Sequence, residues 1–324
     1  MSTLPLSVIT GFLGSGKTTL IRRLLASPEF ARTAVIVNEF GDIALDHELI
    51  EASEEDLVEL STGCLCCAMR GDLAAAVQRL FAKRAAGASF ERILLETTGL
   101  ADPAPIVQSL LADAGLRARV TLERVIVTVD AATGDATLDA HDVSRKQAAL
   151  ADLLLITKSD LVPAGVAELA QRLQGLNREA GIVHSVNGDV AAATLFHARS
   201  AHRIPIPAAT HPHAHAHDDI TSVSLEREQP LHAVSLTLFL QALAEICGPD
   251  LLRVKGIVAL AEHPDGPAVV HGVQHVFHPL RWLAGWPAGQ RRTRLVLIGR
   301  RLRQGWVEAL LASIEEEVRT AARQ

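Results

Sequence analysis

Nine consecutive residues carry the clearest chemistry in the chain. Gly11-Phe12-Leu13-Gly14-Ser15-Gly16-Lys17-Thr18-Thr19 fills the pattern G-x-x-x-x-G-K-[ST] at every fixed position, the phosphate-cradling P-loop. Gly11, Gly14 and Gly16 let the backbone turn sharply and bring N–H groups close to phosphate oxygens. A helix opening near Lys17 adds the positive end of its dipole. Lys17 supplies a mobile charge for the β- and γ-phosphates, and the Thr18 hydroxyl is placed to bind Mg²⁺. Gly14, Ser15, Gly16, Lys17, Thr18 and Thr19 are therefore expected to contact the nucleotide.

Three further stretches extend that chemistry. Glu96-Thr97-Thr98-Gly99 ends an apolar run. There a carboxylate can order Mg²⁺, directly or through water, and the Gly99 N–H can report the γ-phosphate. Thr157-Lys158-Ser159-Asp160 follows the apolar run Leu153 to Ile156. Asp160 is expected to accept from the two N–H groups of guanine's N1 edge, which adenine lacks, so the substrate is GTP rather than ATP. Glu39, Asp42 and Asp46 crowd the segment after Asn38, where a loop sensing γ-phosphate and Mg²⁺ would lie.

Cysteine supplies the second kind of chemistry. Cys64, Cys66 and Cys67 fall within four positions of a cysteine loop, and the fourth cysteine of the chain is Cys247. No second pair lies at zinc-finger spacing. Three soft thiolates select Zn²⁺ and related metals and leave a fourth position open. Glu39, His47, a water or a client protein could fill it. Co²⁺ and Ni²⁺ are alternative occupants.

The elements needed to position these groups are legible. Leu6, Val8 and Ile9 read as a strand ahead of the P-loop, and Leu20, Ile21, Leu24 and Leu25 as a helix behind it. Strands are expected at 33–37, 92–95, 125–129, 153–156 and 182–186, alternating with helices, one of them over 73–86. That order implies an α/β P-loop NTPase domain with a mainly parallel sheet, ligand loops following the strands' carboxyl ends. Residues 1–205 are assigned to it. A histidine-rich linker, 206–220, holds His211, His213, His215 and His217. Residues 221–324 are assigned to a smaller α+β domain, with strands near 222–225, 254–260, 269–277 and 295–298 and helices near 231–246 and 306–318.

The chain has 324 residues, 48% of them hydrophobic and 21% charged, with a net charge of −6. Two packed domains are affordable at that length. The negative balance gives no general attraction to nucleic acid or anionic membrane. No 18-residue apolar run and no cationic leader is present, so a cytoplasmic protein is expected, with no membrane partner. A possible oligomer is left open.

The P-loop, Asn38-Glu39-Phe40-Gly41, Gly63-Cys64-Leu65-Cys66-Cys67 and Glu96-Thr97-Thr98-Gly99-Leu100-Ala101-Asp102-Pro103 together resemble the CobW-type metal-insertion GTPases. Gly272-Val273-Gln274 and Leu297-Ile298-Gly299-Arg300 are similar to that family's second domain, nearest its YjiA-like branch. The resemblance spans nearly the whole chain. It implies slow intrinsic GTP hydrolysis, transition-metal binding at the cysteine motif, and delivery of zinc or cobalt to an unidentified client metalloprotein. Thr157 departs from the Asn that many GTPases carry.

Two other functions fit parts of the pattern. A storage or sensing module would buffer metal and use nucleotide only as a structural ligand. A small-molecule kinase would use the same P-loop, but the base-reading motif and the cysteine cluster argue against it. The alternating histidines form a candidate metal-collecting arm, because an extended chain puts them on one side. Deleting His211 through His217 is expected to lower the zinc bound per chain and spare GTP turnover. Equilibrium dialysis at pH 7.5 and 5.5 checks both, since protons displace metal from imidazole below about pH 6.5.

Overall fold

The computed structural model describes residues 3–30, 32–38, 57–59, 65–68, 73–186, 189–196, 219–286 and 291–321. Two compact units divide the chain: residues 1–173 with 180–198, and residues 174–179 with 199–324.

The first unit begins with β1 (Leu4–Gly11) and α1 (Lys17–Ala26), joined by the P-loop. Next come β2 (Thr33–Asn38), β3 (Leu57–Glu59), β4 (Leu65–Ala68), α2 (Leu73–Ala85) and β5 (Arg92–Thr97). Helices α3 (Ala104–Ala112) and α4 (Ala114–Arg117) lead to β6 (Val120–Asp130). Helices α5 (Gly134–Ala140) and α6 (Asp142–Leu150) precede β7 (Leu153–Thr157). Finally α7 (Val166–Leu176), β8 (Gly181–Ser185) and α8 (Ala192–Phe196) follow.

These strands form one sheet in the order β3-β4-β2-β5-β1-β6-β7-β8. All neighbours are parallel except the edge pair β3–β4. Parallel pairing explains the sequence pattern: strands covered on both faces read as unbroken apolar runs. In β7, Leu153 through Thr157 are all buried. Helix α1 shows the complementary pattern, with Leu20, Ile21 and Leu24 on one buried stripe against Ile9, Val35 and Leu94.

The structure corrects the expected placement of the cysteines. Cys66 and Cys67 lie on β4, not in a loop, with backbones in register with Val35 and Ile36 of β2. A four-residue run with a single aliphatic carries almost no periodicity, so pairing with β2 decides its form.

The second unit contains β9 (Ile220–Arg227), α9 (Ala233–Cys247), β10 (Leu251–Leu260), β11 (His263–Val273), β12 (Val276–Phe277), β13 (Arg281–Trp282), β14 (Thr293–Arg300) and α10 (Gln304–Ala321). Its antiparallel sheet runs β12-β11-β10-β14-β9, with β13 paired to β11. Phe239 and Leu243 of α9 and Val307 and Leu311 of α10 pack with Val254 and Leu297 into one core. Burial, and then Asp250, push the Cys247 thiol above its usual range. No helix among the described residues is long and apolar enough to cross a membrane.

Candidate functional site

Parallel pairing brings the carboxyl ends of β1, β5, β6 and β7 to the same edge of the sheet, and the P-loop lies across them. Gly11, Gly14 and Gly16 take φ angles of 142°, 72° and 90°, conformations that residues with a Cβ rarely adopt. The loop's carbonyls are engaged by side chains. Lys17 Nζ donates to Gly11 O at 2.7 Å and Phe12 O at 3.0 Å. Thr157 Oγ1 donates to Ser15 O at 2.8 Å, and Lys158 Nζ to Gly14 O at 2.9 Å.

A buried set of hydroxyls lies behind the loop. Ser15 Oγ and Thr128 Oγ1 are 2.6 Å apart. Thr128 Oγ1 donates to Thr10 O at 3.2 Å, and Thr97 Oγ1 donates to Thr10 Oγ1 at 2.7 Å. Buried hydroxyls must be paired, and these pair across β5, β1 and β6 to the loop. Thr18 is exposed at the start of α1, and Glu96 is buried at the end of β5, beside Ile9 and Val37 in register. A hydroxyl and a carboxylate are hard oxygen donors and fit Mg²⁺.

The tetrapeptide Thr157-Lys158-Ser159-Asp160 begins on the last residue of β7. Thr157 Oγ1, besides Ser15 O, reaches Val129 O at 3.3 Å, so its hydroxyl ties the end of β7 to the P-loop and to β6. Lys158 has φ 54°, unusual for a residue with a side chain. Its ammonium also donates to Asp130 Oδ2 at 2.6 Å. Leu161 N–H closes the turn on Lys158 O at 3.0 Å, and Asp160 is exposed on it. Burial alone would push the Asp130 carboxyl up. The Lys158 ammonium and the N–H groups of Ala132 and Thr133 outweigh it and hold the carboxyl below its ordinary range.

Gly99 sits directly against the P-loop. A Cβ there would lie 2.6 Å from Leu13 N, so the close approach requires glycine. Gln147 of α6 donates from Nε2 to Gly99 O at 3.3 Å and Ala101 O at 3.1 Å.

Glu39, Cys64, His47 and the histidines 211–217 lie outside the described residues. Cys66 and Cys67 are described as backbone only. No group of three His, Cys, Asp or Glu able to hold a metal occurs among the described residues. The backbone does fix the neighbourhood: the chain leaves β2 at Asn38, paired with Thr97 of β5, and the cysteine strand flanks β2 on its other side.

Strand, glycine loop and helix at the carboxyl edge of a parallel sheet define a P-loop nucleotide-binding protein. The profile of the CobW/HypB/UreG nucleotide-binding domain matches residues 5–184, and that of the cobalamin synthesis protein CobW C-terminal domain matches residues 220–315. The chain is 30% identical over 322 residues to the zinc chaperone YjiA of Escherichia coli strain K12, covering 98% of this chain and 100% of that one. It is 32% identical over 360 residues to a zinc chaperone CobW of Pseudomonas aeruginosa, covering 99% and 92%. The crystal structure of the Zn(II)-bound YjiA GTPase from E. coli superposes with a TM-score of 0.80 at 27% identity, covering 97% and 99%. The chain belongs to the CobW/HypB/UreG family.

Sequence reasoning missed Asp130, Thr128 and Gln147. Each acts through a partner distant in sequence, and only the ends of β6 could have drawn attention to the first two. Asp130 yields a prediction. A carboxyl held below its unfolded value of about 3.9 contributes stability above that pH and loses it as pH falls through the folded value. Asp130→Asn is therefore expected to lower the thermal midpoint at pH 7, with the deficit shrinking below about pH 4. Calorimetry of both proteins across that range checks it.

Proposed function

We propose that the chain is a Mg²⁺-dependent GTPase that couples GTP binding and hydrolysis to delivery of a transition metal, zinc first, to a client metalloprotein. Lys17 and Thr18 serve the phosphates and Mg²⁺, with Gly14, Ser15, Gly16 and Thr19 lining the same cradle. Glu96 orients Mg²⁺ or its water, and Gly99 N–H senses the γ-phosphate. Lys158 and Asp160 serve the guanine. Bound Mg²⁺ would neutralise charge on the phosphate oxygens. No side chain among these is suited to be a strong general base, so catalysis rests on positioning and a slow turnover is expected.

The cargo metal is assigned to Cys64, Cys66 and Cys67 with Glu39. Thiolate ligands fit a reducing, cytoplasmic compartment. Zinc is favoured over Co²⁺ and Ni²⁺ because two full-length relatives are named zinc chaperones. The observation that carries the nucleotide reading is the tie between two motifs 142 residues apart: Thr157 Oγ1 donates to Ser15 O. Lys158 Nζ adds a second tie at Gly14 O. Base-reading turn and phosphate loop are thereby held at fixed separation, as one nucleotide requires.

Steady hydrolysis of GTP, and not ATP, with no acceptor added is the expected behaviour of the wild type. Asp160→Asn is expected to lose roughly a hundredfold or more in GTP affinity and to accept xanthosine triphosphate. Turnover assays with the three nucleotides decide it. A variant that still prefers GTP removes the base assignment, and a wild type without turnover removes the enzyme.

A further inference from the structure

Helix α6 touches both segments expected to sense nucleotide. Gln147, 1% exposed, donates from one amide nitrogen to Gly99 O and Ala101 O at 3.3 and 3.1 Å. One residue earlier, Lys146 Nζ lies 3.6 Å from Asp102 Oδ2 and 3.3 Å from Asp142 Oδ2. Asp102 in turn accepts from Ala104 N–H at 2.9 Å, at the start of α3. At the other end of α6, the His141 ring stacks on Phe12 of the P-loop with centroids 4.5 Å apart. Thus α6 grips the 99–102 segment with its middle and the phosphate loop with its N-terminal flank.

We propose that Gln147 is a positioning residue for γ-phosphate sensing: it holds the Thr98–Ala101 turn seated on the P-loop, where Gly99 faces the nucleotide. The proposal rests on the reading of Gly99 given above. Its physical basis is the peptide geometry of the turn. Thr98 O accepts Ala101 N–H at 3.1 Å. The N–H of Gly99 shares a trans peptide with that carbonyl and points the opposite way, out of the turn. Two further carbonyls of the stretch, those of Gly99 and Ala101, accept from Gln147. Both are met by the two hydrogens of a single carboxamide, which is why the nitrogen of Gln147 is assigned to that side. A buried methionine would fill the same volume with no donor, and two carbonyls would lose their partner. Because Gly99 already packs on Leu13 N, the arrangement Gln147 holds is the seated one. Its loss weakens contacts made with GTP and spares those made with GDP.

Gln147→Met and Lys146→Met, each checked by circular dichroism, are compared with wild type for the affinities of GTPγS and GDP and for single-turnover GTP hydrolysis. In Gln147→Met the GTPγS:GDP affinity ratio and the hydrolysis rate are each expected to fall about tenfold, the size of one or two neutral hydrogen bonds. GDP affinity should stay within about twofold. Lys146→Met, on the more exposed side of the same clasp, should shift the ratio the same way by less. A Gln147→Met protein with wild-type ratio and rate overturns the proposal. So does one that loses GDP and GTPγS affinity equally, which is what general support of the fold would do. If Gln147→Met does not fold, an unchanged ratio in Lys146→Met overturns it instead. Failure of the GTPase reading is separate, because it shows as absent turnover in the wild type.

Discussion

The P-loop must keep its carbonyl groups turned into the protein, and much of the first unit is arranged to satisfy them. Gly11 O and Phe12 O are met by Lys17, Gly14 O by Lys158 and Ser15 O by Thr157. In a trans peptide the N–H points opposite to the C=O. Tying those four carbonyls turns the N–H groups of the residues that follow them the opposite way: that of Ser15 closes on Phe12 O at 3.1 Å, Leu13 N lies against Gly99, and that of Gly16, whose peptide carbonyl Thr157 holds, is turned to the side where an anion can meet it. Left unpaired, the buried carbonyls of Gly11 and Ser15 would each cost about 1–3 kcal/mol, so Lys17 and Thr157 stabilise the cradle. Those side chains come from α1, from β7 and from the turn that follows β7, and the parallel sheet is what brings their ends together.

The same constraint explains what could be read from the sequence. Residues whose role is local announce themselves: the glycines and Lys17 of the P-loop, the unbroken apolar run of β7, the stripe of α10. The supports do not. Thr128 and Asp130 are ordinary residues at a strand end until Ser15, Thr10 and Lys158 are brought to them from 28 to 118 positions away. Gln147 sits in a polar helix whose pattern gives no hint of a buried amide. Strand β11 was expected from 269 but begins at His263, through Pro264, Asp265, Gly266 and Pro267. His263 pairs with Leu260 across the turn, and pairing with β10 resumes at Ala268 after a register shift. β6 likewise begins at Val120, ahead of its apolar core, because it pairs with Leu4 of β1.

The proposed metal site rests on composition in the sequence. The cysteine spacing pointed to soft ligands, and the structure adds a neighbourhood: β4, β2 and β5 are successive strands, and β2 ends at Asn38, in register with Thr97. The 97–101 stretch is thus one strand from Asn38, where β2 ends, and two from Cys66 and Cys67. If GTP and zinc favour the same arrangement there, each must tighten the other by the same factor.

Zinc affinity measured anaerobically by competition with a chelator, with GTPγS, with GDP and without nucleotide, tests that coupling most directly. The coupled mechanism predicts zinc binding tighter by roughly 5- to 150-fold with GTPγS, and loss of that difference in Cys66→Ser and Cys67→Ser. Equal zinc affinity under all three conditions would contradict it and leave a metal store beside an independent nucleotide site.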